Sequence, residues 1–62
     1  MTKDRPAKPK VGNLVRGYKK LPYPGLEEVT GIIVDTRGLE VCVLSNYGEL
    51  VWIKRTEVEV LQ

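Results

Sequence analysis

The sequence predicts an all-β fold, a small antiparallel meander of five short strands curled into a barrel. Three observations predict it. Short apolar runs recur between Val29 and Leu61: Val29-Thr30-Gly31-Ile32-Ile33-Val34, Leu39-Glu40-Val41-Cys42-Val43-Leu44, Glu49-Leu50-Val51-Trp52-Ile53 and Val58-Glu59-Val60-Leu61. Turn-forming segments separate them, chiefly Asp35-Thr36-Arg37-Gly38 and Ser45-Asn46-Tyr47-Gly48. The apolar positions alternate with a period near two and are rich in β-branched residues, which suits strands and not an amphipathic helix.

The elements follow in order. Residues 1–10 alternate charge with proline and offer almost nothing to bury, so they read as a flexible basic N-terminal tail. The barrel domain spans 11–62. Gly12-Asn13 supplies turn chemistry, and Leu14-Val15 begins the first strand. Lys19 to Glu28 reads as a ten-residue loop, because Pro22 and Pro24 each lack a backbone donor and Pro24-Gly25 is a turn dipeptide. The second strand runs through Val29–Thr36, and Gly31 inside it suggests a bulge or a tight bend. The third and fourth strands, Leu39–Leu44 and Glu49–Ile53, flank a hairpin turn. Lys54-Arg55-Thr56-Glu57 leads to a last short strand, Val58–Leu61.

A chain of 62 residues forms one domain with a small core. Cys42 is the only cysteine and there is no histidine, which excludes an internal disulfide and argues against a structural zinc site. No metal or cofactor is expected. The lone cysteine and the lack of an apolar leader at the N-terminus suggest a reducing, cytoplasmic setting. No stretch approaches the roughly 20 apolar residues needed to cross a bilayer, so no membrane partner is expected. Net charge is +2, but residues 1–20 carry seven basic side chains and one acid, whereas residues 21–62 carry three basic and seven acidic. A basic arm on a mildly acidic body suits either a solubilising tail or a polyanion partner.

The chain resembles the SH3-like small barrels of the Tudor and KOW type. Val11-Gly12-Asn13-Leu14-Val15 is similar to their hydrophobic–Gly–Asp–x–Val opening, with Asn13 where the family commonly has Asp. Thr30-Gly31-Ile32-Ile33-Val34 looks like the second strand, and Val41 to Gly48 like the third strand and its turn. The pattern is also similar to uncharacterised small barrel proteins of tailed bacteriophages, which would imply a host-cell cytoplasm. These motifs are short, so the resemblance implies a fold and no particular function.

Alternation divides the later strands into two sets. Val41, Val43, Val51 and Ile53 are expected inside with Val15, Ile33 and Val60. Cys42, Leu44, Leu50 and Trp52 then project outward, so both faces of this hairpin are apolar. Three arrangements follow: a partner covers the outer face, or Tyr18, Leu21, Tyr23 or Leu26 folds back over it, or the facing is the reverse and Trp52 lies in the core.

Two functional classes follow. The first is a non-enzymatic interaction or assembly module whose interface is Trp52, Leu44, Cys42, Leu50 and Tyr47, with itself or another protein as partner. The second is a nucleic-acid binder that uses Arg16, Tyr18, Lys19, Lys20, Tyr23, Lys54 and Arg55. An enzyme is not expected. The sequence holds no histidine, phosphate loop or paired carboxylates, and Cys42 has no base beside it. A loose likeness to plasmid-encoded type II dihydrofolate reductases covers Val51-Trp52-Ile53-Lys54, but Trp52 and Lys54 replace the Gln and Tyr of that motif. No small-molecule substrate is implied.

Overall fold

The structure is a computed structural model and describes residues 8–62. Most of the tail expected at 1–10 lies outside the described residues. The elements are β1 (Leu14–Lys20), β2 (Leu26–Arg37), β3 (Glu40–Ser45), β4 (Leu50–Lys54), a single 3-10 turn (Arg55–Glu57) and β5 (Glu59–Val60). All pairings are antiparallel, in the order β4-β3-β2-β1-β5. The hydrogen-bonded sheet is not closed: β4 and β5 form its two edges.

Each turn has a local cause. Lys10 N–H donates to Asn13 Oδ1 at 2.9 Å, and Gly12 takes φ 97. Gly38, at φ 57, holds the first position of the two-residue turn between β2 and β3, which favours glycine. Between β3 and β4 the Ser45 hydroxyl accepts the N–H groups of Tyr47 and Glu49, both at 3.1 Å, and Gly48 closes the turn at φ 88.

Two expectations need correction. The ten-residue loop is a five-residue turn, Leu21 to Gly25, because Lys19 and Lys20 extend β1 and Leu26, Glu27 and Glu28 begin β2. Cross-strand pairing of Lys19 with Glu27 and of Tyr18 with Glu28 carries the hairpin beyond the point where proline stops it. Nor is Gly31 the bulge. The register slips between Ile33 and Asp35, at Val34. Gly31 answers a different demand: a Cβ there would overlap the carbonyl oxygen of Leu44 and lie 2.7 Å from its carbonyl carbon. The close passage of β2 over β3 therefore requires glycine.

The core sits on one face of the curled sheet. Val15, Ile33, Val41 and Val43 are fully buried, and Val29, Val51 and Ile53 complete the cluster. Val58 and Val60 pack against it only half-buried. Gly17 of β1 closes the gap toward β4, where a Cβ would stand 3.1 Å from Ile53 Cδ1 and Val58 Cγ1. Each buried Val or Ile side chain contributes about 1.5–3 kcal/mol. Arg16 ties β5 to β1 on the other face, with its guanidinium 2.6 Å from Glu59 Oε1.

Candidate functional site

The outer face of the sheet carries an apolar row. Leu14 pairs with Ile32, Ile32 with Leu44 and Leu44 with Leu50, so four strands in succession place an apolar side chain at one level. Directly paired antiparallel residues share a face, so these four side chains stand together. Trp52 stands two residues along β4 from Leu50, on the same face. Ile32, Leu44, Leu50 and Trp52 are all exposed, and Trp52 keeps 39% of its surface in solvent. Tyr23, in the Leu21–Gly25 turn, is 97% exposed, and Tyr18 of β1 lines one cleft with Trp52.

The expected interface residues divide as follows. Trp52, Leu44 and Leu50 lie together on this face. Tyr47 stands at the tip of the adjoining turn, 78% exposed. Cys42 points to the same face but is 4% exposed, so it supplies floor and not contact surface. Its cover is local. Cys42 pairs with Trp52 on one side and Asp35 on the other, and Arg37 from β2 lies over the Trp52 ring. Ile32 and Leu14 widen the face beyond the expected hairpin. Sequence could have signalled Ile32, since placing Ile33 inside leaves Ile32 outside.

Most of the expected basic residues fall in two clefts that share Lys54, while Arg16 lies in an ion-paired cluster. Arg16 is held by Glu59 and, at 3.6 Å, by Glu28. The hydrogen bond that Arg16 donates to Glu59, then the Glu59 charge, raises the Arg16 pKa and keeps it protonated further into the alkaline range. Lys19 reaches Glu49 at 3.5 Å. Tyr18, Lys19, Lys20 and Lys54 share with Trp52 a cleft of about 310 Å³ that also takes in Glu40 and Glu57. Arg55 faces another cleft of about 590 Å³, with Arg37, Lys54, Glu40, Leu39 and Thr56. Tyr23 joins neither cleft.

Among the described residues, no three His, Cys, Asp or Glu side chains converge as metal ligands. Among the same residues no helix is long and apolar enough to cross a membrane. No family model, curated protein or solved structure matches the chain. A functional reading therefore stands on the geometry of these surfaces.

Proposed function

We propose that the protein is a small interaction and assembly module that works through the outer face of the β3–β4 hairpin, centred on Trp52, and not an enzyme. The observation that carries this reading is the exposed row Ile32, Leu44 and Leu50 beside Trp52, continued by the half-buried Leu14. A solvated antiparallel face would place polar residues at these positions. Contiguous apolar surface beside a tryptophan suits a protein contact. A meander whose fifth strand returns beside the first supports reading the sheet as an SH3-like barrel left open between β4 and β5. The likeness to phage proteins and the cytoplasmic setting rest on sequence motifs alone.

Light scattering after size exclusion, over a range of concentrations, tests the reading. Association that grows with concentration and is lost in Leu44→Lys is the expected result. A mass of one copy at every concentration, unchanged by Leu44→Lys, sinks it.

A second reading, nucleic-acid binding, draws support from one cluster. Arg37, Lys54 and Arg55 line a single cleft, and among the described residues none has a carboxylate within 4 Å. This moves the basic site away from Arg16 and Lys19, which are already paired. A labelled single-stranded oligonucleotide should bind more weakly as salt rises and lose affinity with Arg55→Glu. Salt-independent binding would refute this mode.

A further inference from the structure

The sheet ends at β4, and its hydrogen-bonding pattern specifies which backbone groups that edge presents. Ser45 N–H donates to Glu49 C=O at 2.8 Å, and Arg55 N–H donates to Leu39 C=O at 2.7 Å. In an antiparallel ladder, bonded and non-bonded pairs alternate. With the observed register, Val51 and Ile53 therefore spend their backbone groups on β3. Leu50, Trp52 and Lys54 turn theirs to the open edge, where among the described residues no strand receives them. All three are exposed.

We infer that β4 pairs antiparallel with β4 of a second copy about a twofold axis at Trp52, joining two five-stranded sheets into one. This rests on the assembly reading above and names the partner. Hydrogen-bond matching singles out the register. With the axis at Trp52, Trp52 meets Trp52 of the other copy, Leu50 meets Lys54 and Val51 meets Ile53, each pair sharing a face. At this register all three outward-turned residues find outward-turned partners, and each of the three pairs exchanges two hydrogen bonds. A slip of the axis to Val51 or Ile53 leaves one of them unmatched. A slip to Lys54 sets that lysine against itself. The charges agree with the antiparallel sense as well. Glu49 precedes β4, Lys54 ends it and Arg55 follows it, so self-pairing brings the acidic start of one strand to the basic end of the other. The apolar row then runs on through Leu50 and Trp52 into the second copy, as a self-complementary twofold contact requires.

Lys54 offers a test that spares the monomer. Its φ of −60° already suits proline, and its N–H points to the open edge, away from β3, with no partner strand among the described residues. Lys54→Pro should leave the far-ultraviolet spectrum and melting unchanged while weakening dimerisation at least tenfold. Lys54→Ala, which keeps the N–H, should stay within about threefold of the wild type. In the wild-type chain, amide exchange at Leu50, Trp52 and Lys54 should slow as concentration rises, whereas Val51 and Ile53 should be protected throughout. An oligomer that Lys54→Pro leaves intact, with no concentration-dependent protection at those three amides, overturns the edge pairing and keeps the Trp52 face as an interface. An assembly larger than two copies overturns it as well. A monomer at every concentration overturns both. Should Lys54→Pro fail to fold, the exchange measurement on the wild-type chain decides alone.

Discussion

The guanidinium carbon of Arg37 lies 4.9 Å from the centre of the Trp52 ring. Arg37 belongs to β2 and Trp52 to β4, so the contact bridges over β3. A cation over an indole at this range contributes about 0.5–1 kcal/mol at an exposed site. Cys42, only 4% exposed, pairs directly with Trp52, so the cation sits on the ring that neighbours the thiol.

That relationship predicts a change in thiol chemistry. In dilute protein, Arg37→Ala should speed the labelling of Cys42 by a maleimide several-fold without altering the far-ultraviolet spectrum. Arg37→Lys should fall between, because lysine keeps the charge and the stem but not the planar cover. Equal rates in all three proteins would mean that Trp52 alone shields the thiol.

Gly31 and Gly17 should respond differently to alanine. At Gly31 the obstacle is the backbone of Leu44, which cannot move without breaking the β2–β3 ladder. Gly31→Ala should therefore prevent folding at ambient temperature. At Gly17 the obstacles are the side-chain ends of Ile53 and Val58, which can shift by a few tenths of an ångström. Gly17→Ala should fold with a loss of about 1–3 kcal/mol, the usual range for overpacking. Urea titrations of both would show the contrast, and equal midpoints would refute the crossing as the reason for Gly31.

Ile33 is among the largest of the fully buried side chains. Ile33→Ala should cost about 2–5 kcal/mol. Domains of this size hold only about 3–5 kcal/mol in their cores. The variant should be largely unfolded at 25 °C, while Ile32→Ala, on the exposed face, should lower the melting temperature by only a few degrees. Circular dichroism melts would separate the two, and similar melts would reverse the assignment of faces.

Ser45 is the one buried polar side chain among the described residues, and its hydroxyl serves two N–H groups of the β3–β4 turn. Ser45→Ala leaves both donors without that acceptor and should cost about 1–3 kcal/mol. Ser45→Thr keeps the oxygen but adds a methyl group beside Gly31 and Glu49, so it should recover part of the loss. Equal stability of Ser45→Ala and wild type in thermal melts would refute the role of the hydroxyl.

Much of this was legible in the sequence, for reasons that differ by residue. Val41, Val43, Val51 and Ile53 were assignable to the core because alternation in two adjacent strands and a Gly-containing turn leave one register in which the most branched residues meet. Trp52 and Leu44 followed to the outside by the same alternation. Lys19, Lys20, Glu27 and Glu28 resisted reading, since their strand conformation comes from pairing across a proline-rich turn and not from apolar periodicity. The bulge at Val34 was hidden because Val34 is as β-branched as its neighbours, whereas Gly31 invited the assignment. Arg16 and Lys19 looked like free cations because their partners, Glu59 and Glu49, lie far along the chain. The contact of Arg37 with Trp52 was hidden because Asp35 to Gly38 reads as a turn, whereas β2 in fact runs on to Arg37.

The β1–β5 ladder, in which Val15 pairs with Val60, differs from the other hydrogen-bonded ladders among the described residues in one respect. The remaining ladders join neighbours through turns of a few residues. This one joins segments near opposite ends of the chain. In kinetic terms, the four-stranded meander can assemble from local encounters, and β5 can dock only after its long closure entropy has been met. Refolding should then settle the environment of Trp52 before the Leu61 amide, which donates to the Leu14 carbonyl at 2.7 Å, gains protection. The Arg16–Glu59 clamp would act late, holding in place a strand too short to hold itself.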